Sequence, residues 1–166
     1  YEEAKNKFHE FIDLYPANKQ ADRAYFFKAM SDYKMIDIAI RDQTATREAI
    51  NGFELLINRF PKSNYIEKAK KNKKKCESIL VENIFEIGKF YYNTGSYQSA
   101  ITRLKNLLAQ NPNHKFSDEA AFLLAESYYN EQNFTEAVVS YKNLLNKYPR
   151  SQFIIQAKKR LKGLRR

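Results

Sequence analysis

His9 and His114 are the two histidines of this chain, and Cys76 is its single cysteine. With the carboxylates they are the residues from which general acid–base or nucleophilic catalysis would be built. His9 falls in the middle of a helical stretch and His114 in a turn after Pro112. Neither has a nucleophile or a carboxylate pair at a spacing that suggests chemistry, so both read as surface or packing histidines. No phosphate-binding loop, dinucleotide fingerprint or HExxH pattern occurs. Cys76 can form no internal disulfide and sits on an apolar stripe, which makes it an inert core thiol. Asn133, Phe134 and Thr135 spell a glycosylation acceptor, but Phe134 is also a position of the repeat described below. The residues make no case for an enzyme, a metal site or a cofactor.

Charge is the other potential carrier of function. The net charge is +10, and two clusters produce it. Residues 61–75 hold seven basic residues against one acidic, and residues 150–166 hold seven against none. The first comprises Lys62, Lys68, Lys70, Lys71, Lys73, Lys74 and Lys75, the second Arg150, Lys158, Lys159, Arg160, Lys162, Arg165 and Arg166. The lysine run reads as the solvated outer face of a long helix or as a contact for an acidic protein or anionic lipid headgroups. The second cluster shares its helix with Ile154, Ile155, Ala157, Leu161 and Leu164, as a terminal capping helix would, and its charge suits a helix C-terminus. Nucleic acid is not the expected partner, because no helix-turn-helix, zinc finger or RNA-recognition motif accompanies the charge.

What positions these residues is an internal repeat. Ala, a bulky residue four positions on and Pro eight positions after that recur as Ala4, Phe8, Pro16; Ala49, Phe53, Pro61; Ala100, Leu104, Pro112; and Ala137, Tyr141, Pro149. The first two share one helix face, and proline, which cannot continue a helix, closes the unit. Tyr1, Thr46, Tyr97 and Phe134 precede the alanines by three. A partner helix is legible upstream, where Ile84, Ile87, Gly88 and Tyr91 match Ala121, Leu124, Ala125 and Tyr128. Each unit is a helix, a turn and a second helix. Here the chain resembles the tetratricopeptide repeat, and the expected fold is all-α, a helical-hairpin solenoid with one long central helix.

Successive prolines lie 45, 51 and 37 residues apart, so two segments are inserted. One, between Tyr33 and Thr46, is longer than the usual inter-helix connection. The other lengthens a helix from Tyr65 to Asn93, with a stripe through Ala69, Cys76, Ile79, Leu80, Ile84, Ile87 and Tyr91. The whole of residues 1–166 is expected to form a single tetratricopeptide-repeat domain. Tyr1 falls inside the second helix of its unit, which implies a start trimmed from a longer protein. No apolar run approaches the roughly 18 residues that span a bilayer.

Taking Ala29, Gly88 and Ala125 as equivalent puts Phe26, Phe85 and Phe122 three before and Tyr33, Tyr92 and Tyr129 four after. The repeat resemblance implies that these six rings line a concave peptide-binding groove; the alternative is that some are buried between repeats. Arg23, Glu82 and Glu119, three before each Phe, would set polarity along it.

The irregularities carry a finer resemblance. A unit ending YP, the Arg41, Asp42, Gln43 insertion leading into REAINGFELLINRFPKSNY, a long helix, and FYYNTGSYQSAITRLKNLL are together similar to the BamD family, the lipoprotein subunit of the machinery that folds β-barrels into the Gram-negative outer membrane. That resemblance implies a non-enzymatic scaffold on the periplasmic face of the outer membrane, held by an N-terminal lipid anchor absent from this chain. Its N-terminal repeats would receive the aromatic-rich C-terminal signal of unfolded outer membrane proteins. Its C-terminal repeats would dock on the POTRA domains of BamA beside other assembly-machinery lipoproteins, with Arg103 as a docking residue. The lysine-rich long helix departs from the family pattern. Two other readings stand beside it: a periplasmic tetratricopeptide protein of the Tol-Pal and cell-division system, which would lack the RDQ insertion, and a cytoplasmic peptide-binding adaptor.

Overall fold

A computed structural model describes residues 1–36 and 42–164. Among them are eight helices and no strand: α1 (Glu2–Leu14), α2 (Ala21–Lys34), α3 (Thr44–Arg59), α4 (Ile66–Asn93), α5 (Tyr97–Gln110), α6 (Ser117–Asn130), α7 (Phe134–Lys147) and α8 (Ile154–Gly163). The expected all-α, tetratricopeptide-like architecture is therefore what the chain adopts. Arg41 of the RDQ insertion lies outside the described residues.

The prolines end helices by one recurring device. Tyr15, Phe60, Asn111 and Tyr148 leave the helical region at φ −133°, −128°, −134° and −126°. Each donates its N–H to the carbonyl four residues back, and proline follows. Asn18, Ser63, His114 and Ser151 then donate their N–H back to those same four residues and accept, on their carbonyls, the N–H of Ala21, Ile66, Ser117 and Ile154. The side chains of Asn18, Ser63 and Ser151 also accept an N–H two residues on. His114 thus occupies a turn position that the other copies fill with Asn or Ser. That is a structural role, and it accounts for the placement of one of the two histidines.

Turns within hairpins need a left-handed residue. Gly95 supplies it between α4 and α5 at φ 76°, where glycine carries no steric cost. Gln132 adopts the same conformation between α6 and α7 at φ 59°, and the Asn133 side chain then caps α7 by accepting the Glu136 N–H.

The chain divides into two compact units, Tyr1–Leu80 and Val81–Arg166. In the first, Ala24, Phe26, Ala29, Ala49, Phe53 and Leu56 form the core with Ala69 and Cys76. Gly52 is there because α3 runs against α2: a Cβ on it would sit 2.7 Å from the Ala29 Cβ and 3.2 Å from its Cα. In the second unit, one cluster gathers Val81, Phe85, Ala100, Leu104 and Leu107, another Ala121, Ala125, Ala137, Tyr141, Leu144, Ala157 and Leu161. A Cβ on Gly88 would meet the Leu104 side chain at 2.8 Å.

The repeat alanines Ala49, Ala100 and Ala137 and their partners Phe53, Leu104 and Tyr141 are all fully buried. Ala4 is exposed and Phe8 half-buried, since α1 packs chiefly on α2 and reaches α3 through Lys5 and Glu48. The long helix exists with the expected end at Asn93, but its stripe needs correction. Its first part buries Ala69 and Cys76 in unit 1; its second part buries Val81, Phe85 and Gly88 in unit 2, while Ile84, Ile87 and Tyr91 are half-buried. A single stripe does not run the length of α4, because each part serves its own core.

Candidate functional site

The side chains packed around each ring decide which of them can reach a groove. Phe26 stands one turn before Ala29 on the crossing side of α2. It stacks on Tyr65 with centroids 4.7 Å apart, contacts Phe53 at 6.1 Å, and retains 5% exposure. Phe85 lies face to face with Phe116, at 4.8 Å and an interplanar angle of 4°, and retains 1%. These two rings are core residues, which corrects their placement on a groove wall. The physical reason is their cover: Phe26 is enclosed by Tyr65, Phe27 and Phe53, and Phe85 lies between Phe116 and the Lys89 ammonium. Tyr33, Tyr92, Phe122 and Tyr129 are half-buried and keep a solvent-facing edge.

Three of those four lie in unit 2. Phe122 stacks on Phe153 at 4.6 Å, Tyr92 meets Tyr97 edge-on at 5.8 Å, and Tyr129 meets Phe134 edge-on at 5.7 Å. Phe122 and Tyr129 line a cleft of about 610 Å³ between α6 and α8, whose other walls are Glu126, Gln156, Lys159, Arg160, Gly163 and Leu164. In unit 1, Tyr33 touches Phe53 edge-on at 6.5 Å.

The floor of the cleft is an ion pair. Glu126, 4% exposed, accepts hydrogen bonds from Arg160 Nε at 2.9 Å and Nη2 at 2.8 Å, and from the Tyr141 hydroxyl. The Arg160 guanidinium also lies 4.3 Å from the Tyr129 ring centre, a cation–π geometry. One carboxylate therefore ties α6, α7 and α8 together. The hydrogen bonds to Glu126 raise Arg160 above its ordinary value; burial, then the bond to Glu126, raises the Tyr141 phenol. Burial raises Tyr92 as well. With Glu126 neutralised by Arg160, exposed Lys159 supplies the cleft's uncompensated positive charge. Apolar rings beside one spare cation suit an aromatic or apolar side chain adjoining a carboxylate.

Unit 1 has its own buried charge. Asp32, 1% exposed, receives Lys5 Nζ at 2.8 Å, and Lys5 also bonds Glu48, joining α1, α2 and α3. Burial raises the Asp32 carboxyl in spite of Lys5, whereas Lys5 lowers Glu48; hydrogen bonds to Asp32 and Glu48 raise Lys5. Neither network was read from the sequence. A signal for the first was present: Tyr141 fills the slot that holds Phe8, Phe53 and Leu104 in other copies, and a hydroxyl buried there requires a partner.

The remaining candidates are placed as follows. Arg103 is exposed on α5. Glu82 and Glu119 are paired with Lys115 at 3.5 Å and Lys89 at 2.7 Å, and Arg23 lies over the Phe27 ring at 5.7 Å. Cys76 is fully buried, its thiol pushed up to about 11 by desolvation. His9 is exposed beside Asp13. Among the described residues, no group of three His, Cys, Asp or Glu is placed to hold a metal ion, and no helix is long and apolar enough to cross a membrane.

Two family profiles match the chain: that of an outer membrane lipoprotein, YfiO, over residues 1–133, and that of a tetratricopeptide repeat over residues 119–151. Similar curated proteins include the outer membrane protein assembly factor BamD of Caulobacter vibrioides, 30% identical over 75% of this chain and 41% of its own length. Another is the BamD of Rickettsia prowazekii, 31% identical over 75% of this chain and 49% of its own length. That of Neisseria gonorrhoeae is 27% identical over 69% of this chain and 46% of its own. The matched region spans less than half the length of these relatives.

Proposed function

We propose, from the premise that this chain belongs to the YfiO family of outer membrane lipoproteins, that it acts as a non-catalytic assembly factor for outer membrane β-barrel proteins. It works by holding an extended segment of an unfolded barrel protein while a second surface docks on the assembly machinery. The single observation that carries this reading is the α6/α8 cleft, with Phe122 and Tyr129 beside Lys159 and the neutralised Glu126–Arg160 pair, which moves capture to unit 2 from the N-terminal repeats that the family resemblance implies. An aromatic C-terminal residue of a barrel protein offers a ring and a free carboxylate, and the cleft offers complements to both. A fully buried anchor of that kind contributes roughly 1.5 to 3 kcal/mol. Tyr92 and Tyr33 extend the recognition surface within their respective units.

The docking surface is assigned to the exposed side of α5 around Arg103, facing the POTRA domains of BamA. Placement at the periplasmic face of the outer membrane, by a lipid anchor, goes with this reading. Phe26 and Phe85 are excluded from the contact, since both are packed in cores.

The test is the affinity of the chain for a synthetic peptide copying the C-terminus of a barrel protein, measured with the free carboxylate and with the amide. The carboxylate form binds more tightly, and Lys159→Glu removes that preference without altering helical content. Equal binding of both peptides by parent and variant would eliminate the cleft as the capture site.

A further inference from the structure

The geometry points to the lysine face of α4 as a docking surface for the anionic phosphate headgroups of a lipid bilayer. Lys68, Lys70, Lys71, Lys74 and Lys75 are exposed in unit 1. Lys70 is paired with Glu67 at 3.1 Å, and Lys73 with Glu77 at 3.0 Å. No ion pair engages the other four among the described residues, so Lys68, Lys71, Lys74 and Lys75 present uncompensated charge. At 1.5 Å per residue they occupy about 10 Å of helix, and their 3- and 4-residue spacings put them on one side of it. Like charges at these spacings destabilise a helix. A face that needed only to be wet could have alternated Glu with Lys, as 67/70 and 73/77 do.

The residue type selects the occupant. All seven cations of residues 61–75 are lysine, which acts as a mobile, strongly hydrated point charge, whereas arginine provides the fixed fork that matches a protein carboxylate. The described residues between 61 and 80 also include no exposed large hydrophobic side chain. A protein interface would need such an anchor at its centre; a fluid array of phosphates needs neither anchor nor fixed geometry. The inference rests on the membrane placement proposed above for the source of the lipid, but uses a surface separate from the peptide cleft.

The experiment is co-sedimentation of the full chain with phosphatidylcholine vesicles, with and without about 30% phosphatidylglycerol. Binding is expected only with the anionic lipid, and it weakens as salt rises from about 0.05 M to about 0.3 M. Each lysine near an anionic surface is worth about fivefold in partitioning. The variant Lys68→Gln, Lys71→Gln, Lys74→Gln, Lys75→Gln is therefore expected to bind at least about 100-fold more weakly. A control removes the same charge elsewhere, through Lys105→Gln, Lys142→Gln, Lys147→Gln and Arg150→Gln, and stays within about threefold of the parent. Equal loss in both variants would reduce the effect to net charge and overturn the inference. So would a parent that ignores anionic vesicles yet binds polyglutamate through the same four lysines, which would make the partner an acidic protein. Peptide capture, measured without vesicles, reports separately on the proposed function.

Discussion

Replacing Arg160 with methionine removes the cation that neutralises Glu126. The carboxylate is 6% exposed in its side chain, and the variant takes away both arginine hydrogen bonds, at 2.9 and 2.8 Å, leaving the Tyr141 hydroxyl as its remaining partner. Stripping one partner from a buried pair costs about 3 to 5 kcal/mol. Here the arginine side chain is itself 42% exposed, so water can enter its place and the cost falls to about 2 to 3 kcal/mol. The Tyr129 cation–π contact is lost with it. Glu126→Gln keeps an acceptor for Arg160 and Tyr141 and costs about 1 to 2 kcal/mol. If the charges act as a unit, the double variant loses about 1 to 2 kcal/mol less than the sum of the singles. The assay is urea unfolding followed by far-ultraviolet circular dichroism. An Arg160→Met midpoint equal to the parent's, or strict additivity of the two substitutions, would refute the claim that this carboxylate clamps α8 onto α6 and α7.

Other outcomes follow from the same contacts. Gly52→Ala destabilises by about 1 to 2 kcal/mol in urea unfolding, because the Ala29 Cβ, fixed to its backbone with no rotamer to yield, blocks the new methyl and the helix-propensity gain is smaller than the clash. Gln132→Gly stabilises by about 1 kcal/mol by relieving the left-handed backbone at φ 59°. Lys5→Met strands the Asp32 carboxylate and costs about 3 kcal/mol at neutral pH. Because burial already raises Asp32, falling pH protonates it first in the folded state, so the gap between variant and parent narrows as pH falls through that raised value. Unfolding curves across acidic pH that stay a constant distance apart would contradict this. Cys76, with a thiol near 11, resists alkylation at pH 8 in the folded chain and reacts in urea. Arg103→Glu weakens binding to isolated POTRA domains of BamA, and equal affinity would remove it from the docking surface.

Much of this architecture was legible in the residues, for identifiable reasons. The Ala–bulky–Pro spacing marks close crossings and helix ends, and these are local effects that side-chain size and proline chemistry fix directly. The same reasoning located the long helix, while the family came from a resemblance carried by the RDQ insertion and the stretch from Tyr91 to Leu108. It failed where an outcome depends on the third neighbour. Phe26, Phe85 and Phe122 sit at the same repeat position and each stacks on the ring that follows the closing proline, Tyr65, Phe116 or Phe153. Yet Phe27 and Phe53 also enclose Phe26 and Lys89 lies over Phe85, while Phe122, with Tyr141 at 6.5 Å, retains an open edge. The buried pairs Glu126–Arg160 and Asp32–Lys5 join residues 34 and 27 positions apart, beyond the reach of helical periodicity.

The central claim is that an extended segment of a barrel protein is held between α6 and α8, and photo-crosslinking locates it most directly. A peptide copying a barrel-protein C-terminus, carrying a photoreactive group on its terminal aromatic residue, is irradiated with the chain and the adducts are mapped by mass spectrometry. The account predicts adducts on the α6 segment around Phe122 and Tyr129 and on α8 around Lys159 and Leu164, suppressed by Lys159→Glu. Adducts confined to other helices, or unaffected by that substitution, would contradict it.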